Sequence, residues 1–306
     1  YGSAAPSGEN MVFEAEKSLL QKNGHDVAVF TRQSDEIRNN GFAGMLRGAF
    51  ATPWNRQMFD AIKKVLVAFK PDVVHAHNTF PLISPAIFHA VGNKAARVLT
   101  LHNYRLFCPA AIPLRNGRVC TECIESKTVW PSLKYGCYRG SRLATMPLAF
   151  SVGLHRMLGT WTKHVDAFIA LSDFQRKLMA RAGLPGGRTY VKPNFYPGNP
   201  SIIPWEKRGR FAVFVGRLSA EKGVKSLLHA WKLWGANAPV LYLVGDGKLR
   251  SDLEKMAKGL PVKFSGQVSS SEAQDYIARA RLLILPSECF EGYTMVLREA
   301  LAFGTP

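Results

Sequence analysis

Short apolar runs of strand type alternate with helical spacings along most of the chain, and that alternation leaves few folds open. Pro71-Asp-Val-Val-His-Ala-His77 reads as a strand, Ser84–Val91 as a helix and Arg97-Val-Leu-Thr-Leu101 as the next strand. Asp166-Ala-Phe-Ile-Ala-Leu171 follows, then a helix to Ala182 opened by a capping box, Ser172-Asp-Phe-Gln175. Thr189-Tyr-Val-Lys-Pro-Asn194 closes this set, and Pro197, Gly198, Pro200 and Pro204 mark a linker. A second set runs through Arg210–Val215, Val240–Leu243, Val262–Val268 and Ala280–Pro286. Such a chain predicts α/β architecture with parallel, doubly wound sheets and ligands outside the carboxyl ends of strands. The expected division is a first domain over 1–197, with a cysteine-containing insert at 103–140, a linker over 198–209 and a second domain over 210–306.

The start of the chain fits the same plan. Tyr1–Glu9 is small and turn-forming. Met11, Ala15, Ser18 and Leu19 then repeat with helical spacing, Asn23-Gly24 reads as a C-cap, and His25–Thr31 reads as a strand. A glycine loop opening a helix suits a phosphate contact through backbone N–H groups. No strand precedes that loop, and the chain stops one helix after a strand, so it reads as a fragment without its first strand and its C-terminal part.

Charge is uneven. Of a net +18, residues 1–200 carry 25 Lys and Arg against 12 Asp and Glu. No acid lies between Glu125 and Asp166, where Lys127, Lys134, Arg139, Arg142, Arg156 and Lys163 fall beside Trp130, Leu148, Phe150 and Trp161. Gly41–Lys70 is rich in apolar and aromatic residues, with an amphipathic helix from Arg56, and reads either as an interfacial segment or as a helix covering the sheet. No apolar run approaches the roughly 18 residues of a membrane span. The expected partner is an anionic membrane surface, and the expected location is cytoplasmic, peripheral on the inner membrane.

The chemistry-bearing residues cluster at strand ends. His75, His77 and His102 sit at two of them. Gly216-Arg-Leu-Ser-Ala-Glu-Lys-Gly223 follows a strand and opens a helix, so Arg217 and Lys222 can neutralise a diphosphate. Val244-Gly-Asp-Gly247 follows another strand. After Ala280–Pro286, Val296, Ala300 and Phe303 recur at i, i+4, i+7, which places a helix start near Glu291 and Gly292. Glu299 then lies about 12 Å further along the axis. That is wide for a hydrolase carboxylate pair, which needs roughly 5–9.5 Å, and suits two groups holding opposite ends of one long ligand. Two solvated glutamates on a surface helix are the alternative. Cys108, Cys120, Cys123 and Cys137 form C-x11-C-x2-C-x13-C, which can supply four thiolates to a structural zinc or remain as reduced thiols. Disulfides are the third option, and a cytosolic location disfavours them.

Taken whole, Glu291-Gly-Tyr-x2-Val-x2-Glu-Ala-Leu-Ala-x-Gly-Thr-Pro306 resembles the signature of retaining GT-B glycosyltransferases, in particular glycosyltransferase family 4. Thr100-Leu-His-Asn103, Val215-Gly-Arg-Leu-x2-Glu-Lys-Gly223, Val244–Gly247 and the cysteine frame are similar to the same family, in the same order. The resemblance implies two Rossmann-like domains facing across a cleft, the second incomplete here. It implies transfer of a hexose from a nucleotide-sugar donor to a hydroxyl of a lipid-linked or polysaccharide acceptor, in cell-envelope glycan synthesis. His102 would line the sugar pocket, Arg217 and Lys222 would hold the leaving diphosphate, and Glu291 would orient the donor sugar. Glu299 would hold the ribose, with Gly8, Gly216, Gly245, Val268, Gly292 and Tyr293 completing the donor site. The family's usual glycine before Gly8 is Ser7 here. No D-x-D motif is present, so no metal is expected on the diphosphate, and no cofactor is expected for catalysis. Rival readings are a basic nucleic-acid-binding protein, disfavoured because no recognition-helix or zinc-finger pattern accompanies the charge, and a GT-B nucleotide-sugar hydrolase or epimerase.

Overall fold

The computed structural model describes residues 8–33 and 41–306; the loop before Gly8, Ser7 included, lies outside them. The chain divides into two compact units. The first holds residues up to Pro113 and Thr121–Pro193, and the second holds Leu114–Cys120 and Asn194–Pro306.

Helix α1 (Gly8–Lys22) has Glu9 in its first turn and Lys22 in its last, as the helix dipole favours, and buries Val12 and Glu16. Gly24, at φ 81°, takes the left-handed turn that ends it. His25–Thr31, expected as a strand, runs without a ladder partner among the described residues. A strand pattern becomes a strand only where a neighbour accepts its hydrogen bonds. Helices α2 (Gly41–Ala51) and α3 (Arg56–Phe69) follow. Asn55 caps α3 by accepting from Met58 N at 3.1 Å, and Met58, Ile62 and Leu66 form its buried stripe.

Strand β1 (Val73–Ala76), helix α4 (Ala86–Val91) and strand β2 (Ala96–Leu101) begin the alternation. The insert contributes a small hairpin, β3 (Leu114–Arg115) with β4 (Arg118–Val119), and helices α5 (Glu122–Glu125) and α6 (Trp130–Tyr135). Helices α7 (Arg142–Met157) and α8 (Thr160–Lys163), strand β5 (Ala167–Ala170), helix α9 (Asp173–Arg181) and strand β6 (Thr189–Val191) complete the first unit. Its sheet is parallel, in the order β1-β2-β5-β6. The expected capping box on α9 is only half formed. Ser172 Oγ accepts from Gln175 N at 3.1 Å, but the Gln175 side chain accepts from Leu171 N at 2.8 Å and donates to Leu101 O at 2.9 Å. The buried amide thus ties the end of β5 to the end of β2. At the other end of these strands Asp166 accepts both Nε and Nη2 of Arg97 at 2.8 Å, and the pairing holds its carboxyl below the usual range.

The second unit repeats the scheme with β7 (Gly209–Val215), α10 (Val224–Trp234), β8 (Val240–Val244), α11 (Arg250–Met256), β9 (Val262–Gly266), α12 (Ser270–Arg279), β10 (Ala280–Leu283) and α13 (Met295–Phe303). The sheet is parallel, in the order β10-β7-β8-β9. Alternate residues of β7 face opposite layers. Ala212 and Phe214 pack with Leu228 and Trp231 of α10, while Val213 packs with Ile277 of α12 and Phe303 of α13.

The structure corrects the apolar residues expected on the basic surface. Leu148 and Trp161 are core, 4% and 5% exposed, because they face the interior from α7 and α8. Arg156 is half-buried, its guanidinium 5.0 Å above the Phe107 ring. Trp130 and Phe150 are exposed, and α7 adds Leu143, Met146 and Met157, spaced along one face. On α2, Gly44 and Gly48 turn inward while Met45, Leu46 and Phe50 face out.

Candidate active site

In the first unit, residues two apart on a strand share a side, so His75 on β1 and His77 just past its end point the same way. His102 follows β2, the neighbouring strand, and its Nε2 lies 3.0 Å from His77 Nδ1. His75 Nε2 lies 2.7 Å from Thr100 Oγ1. Burial pulls all three imidazoles below their ordinary range; for His102, burial and then the nearby His75 and Lys192 bring it to about 4. His102 is therefore a neutral hydrogen-bonding group at neutral pH. It lines a pocket with His77, Asn78, Thr100, Asn103 and Arg105, backed by Leu148 and Trp161. Gly8 opens α1, and beside it Glu9 accepts from Asn78 Nδ2 at 3.2 Å. Burial raises the Glu9 carboxyl to about 7. Glu9 and Glu16 carry no motif of their own, and only their burial marks them.

In the second unit, loops at the carboxyl ends of β7, β8 and β9 are joined by backbone bonds, Gly216 N to Val244 O at 2.9 Å and Gly245 N to Gly266 O at 2.7 Å. A Cβ on Gly245 would lie 2.1 Å from Gly216 O, and one on Gly223 1.9 Å from Pro286 O. Both glycines have positive φ, so only glycine allows this close backbone packing. Lys222 donates to Glu291 Oε1 at 2.6 Å, and Ser287 Oγ donates to the same oxygen at 2.7 Å. Arg217 is 71% exposed and 3.3 Å from Glu221. The structure thus brings Lys222 and Glu291 into one constellation with Ser287, which the sequence did not single out. Burial, and then the Glu291 carboxylate, raise the nearby Cys289 thiol to about 11.

Helix α13 begins at Met295, not at Glu291 or Gly292 as expected. Thr294 caps it, accepting from Leu297 N at 3.4 Å, so Glu291, Gly292 and Tyr293 lie on the preceding loop. The axial spacing of Glu291 and Glu299 therefore does not apply. Asn194 Nδ2 holds that loop at Tyr293 O, 2.8 Å away. Glu299 is 4% exposed; it accepts from Gln274 Nε2 at 3.1 Å and lies 3.6 Å from Arg298 Nη2. Burial raises its carboxyl above the usual range. Val268 packs into the sheet core.

None of the cysteines forms a disulfide. Among the described residues, the sulfurs of Cys108, Cys123 and Cys137 do not all lie within 4.8 Å of one another.

A model described as Glycosyltransferase Family 4 matches residues 9–197, and one described as Glycosyl transferases group 1 matches residues 209–306. TuaC of Bacillus subtilis strain 168, which carries a provisional assignment as a teichuronic acid biosynthesis glycosyltransferase, is 26% identical over 352 aligned residues, covering 100% of this chain and 77% of TuaC. The sulfoquinovosyl transferase SQD2 of Arabidopsis thaliana is 26% identical over 250 residues, 79% of this chain and 43% of that protein. Among solved structures, Anabaena HepE in complex with UDP and glucose aligns at TM-score 0.59 and 16% identity, covering 100% of this chain and 78% of HepE. That likeness shows the fold, a GT-B α/β architecture.

Proposed function

The chain belongs to glycosyltransferase family 4, and on that premise we propose that it transfers a hexose from a nucleotide-sugar donor to a hydroxyl of a glycan or lipid-linked acceptor, with retention and without a metal on the diphosphate. The observation that carries the reading is the contact of Lys222 with Glu291 beside the glycine-tight loops of the second unit. In the reaction the acceptor oxygen bonds to the anomeric carbon on the leaving-group face and gives its proton to the departing diphosphate, while the bond from that carbon to the diphosphate breaks. Negative charge collects on the departing diphosphate, where Arg217 and Lys222 offset it. Glu291 holds donor sugar hydroxyls, Glu299 the ribose, and neutral His102 the sugar. Relatives suggest the donor class: HepE was solved with UDP and with glucose, and TuaC and SQD2 are named as transferases. A screen of UDP- and GDP-sugars, with products analysed with and without acceptor, tests the proposal. Acceptor-dependent glycosidic product with the donor's anomeric configuration supports it. Free sugar or an epimerised donor as the sole product overturns it in favour of a hydrolase or epimerase.

The acceptor side is proposed to work at an anionic bilayer. Support comes from the outward apolar side chains of α2 and α7 together with exposed Lys127, Lys134, Arg139, Arg142 and Lys163. Each such cation near an anionic surface contributes about 1 kcal/mol, and apolar insertion adds to it. No described helix is long and apolar enough to cross a membrane. A structural zinc on the cysteines would need those sulfurs to close together, and zinc content after cysteine alkylation tests it.

A further inference from the structure

Glu16, His75 and His77 bring one carboxylate oxygen and two ring nitrogens within 4.8 Å of one another in the first unit. Glu16 Oε2 is 3.8 Å from His75 Nδ1 and 3.6 Å from His77 Nε2. Both distances are too long for hydrogen bonds. They are close to the edge of a tetrahedral metal site, about 3.4 Å for bonds of about 2.1 Å.

The surroundings favour ligation over a plain polar network. The second nitrogen of each imidazole is already engaged, His75 Nε2 with Thr100 Oγ1 at 2.7 Å and His77 Nδ1 with His102 Nε2 at 3.0 Å. If those nitrogens carry the protons, the two facing Glu16 are lone pairs. Metal-binding histidines are oriented by this kind of outer hydrogen bond. Lys192 takes the other carboxylate oxygen, Oε1, at 2.5 Å, which fixes Glu16 and leaves Oε2 facing the histidines. His77 is 8% exposed and Glu16 9%, while His75 stays partly open to solvent, leaving room for a water as fourth ligand. Two histidines, one carboxylate and an open position match a zinc-class divalent cation.

We infer that Glu16, His75 and His77 form a binding site for a zinc-class divalent cation that ties α1 to the end of β1 and fixes the histidine supporting His102. The site is independent of the diphosphate chemistry, and the inference does not rest on the proposed sugar transfer.

The test loads metal-free protein with zinc(II) and, in parallel, with cobalt(II). About one equivalent is expected, with d–d bands of a nitrogen–oxygen site and no thiolate charge-transfer band. Glu16→Gln, close in shape, should abolish the tight equivalent, and Thr100→Val should weaken binding about 10- to 100-fold by loosening His75. Zinc should raise the melting temperature of the parent protein and not that of Glu16→Gln. Cobalt bound through thiolates alone, no bound equivalent, or undiminished binding in a folded Glu16→Gln variant overturns the inference. If that variant does not fold, the cobalt spectrum of the parent protein decides alone.

Discussion

The two units share a parallel sheet with polar groups at the carboxyl ends, yet they equip those ends differently. Seven of the eight histidines lie in the first unit, and there His77 is buried, His75 and His102 are partly buried, and all three are neutral. In the second unit, glycines bring backbone against backbone, and the side chains are paired charges, Lys222 with Glu291 and Arg217 with Glu221. Burial holds those three imidazoles neutral, whereas the second unit sets its charged side chains in pairs beside the glycine turns. The first end is suited to neutral hydrogen bonding with hydroxyls, and the second to a ligand carrying several negative charges.

That contrast can be broken at its strongest point. Lys222→Ala is expected to lower turnover about 10²–10³-fold and to weaken binding of the donor's nucleoside diphosphate, as loss of one preorganised charge does. His102→Ala should lower turnover and leave that affinity unchanged. Calorimetric titration of the nucleoside diphosphate found in the donor screen into both variants decides: equal losses of affinity would remove the assignment of nucleotide binding to the second unit's charges.

A smaller effect is expected from the second unit's scaffold. Arg208, 5% exposed, donates to the carbonyls of Ile203, Ala280 and Phe303 and to Thr305 Oγ1. Arg208→Met leaves these buried acceptors without partners and should destabilise by about 2–4 kcal/mol. Denaturant unfolding measures it, and a change under about 0.5 kcal/mol would show that water replaces the guanidinium.

Acid sharpens the comparison from the other side. His89, His155 and His164 cluster near Thr160, with Arg97 and Lys163 nearby. Burial, and for His89 the neighbouring histidines, hold them below their ordinary 6.5, His89 at about 4. Groups with depressed folded values bind protons more tightly when unfolded. Their stabilisation is therefore complete above about pH 6.5 and is lost as pH falls from there toward about 4. The expected loss is about 1 kcal/mol, since His89 is partly open to solvent. Hydrogen exchange should show it in the first unit before the second. His89→Gln should flatten the profile, and an unchanged profile would place the acid sensitivity elsewhere.

The smallest effects concern the surface. Arg139→Gln and Arg142→Gln should each cost about 1 kcal/mol of binding to anionic vesicles, and Phe150→Ser somewhat less. Nucleotide binding by the second unit should not change. Equal flotation with neutral vesicles would remove the anionic bilayer from the proposal.

Strand and helix order were legible because alternating burial and helical spacing leave direct marks in the sequence. The contact of Lys222 with Glu291 and the place of His102 in a pocket fall on residues that the sequence offers as candidates, because they lie within motifs at strand ends. Three features were not legible. Glu16 lies in a helix whose pattern gives no reason to bury an acid; its role depends on Lys192, 176 positions away. Arg208 sits in a proline-rich stretch and becomes a buried clamp only when the last helix brings Phe303 and Thr305 to it. Leu148 and Trp161 looked like surface anchors because a basic run surrounds them, yet packing placed them in the core.

The sequence alone therefore determined the parallel α/β plan, the glycine turns and the residue types at the strand ends, since these follow from local spacing and backbone freedom. Tertiary structure decided which charges are paired, which imidazoles are neutral and which apolar side chains face water. Those properties depend on neighbours from distant parts of the chain and on the burial they jointly create, which local spacing does not encode.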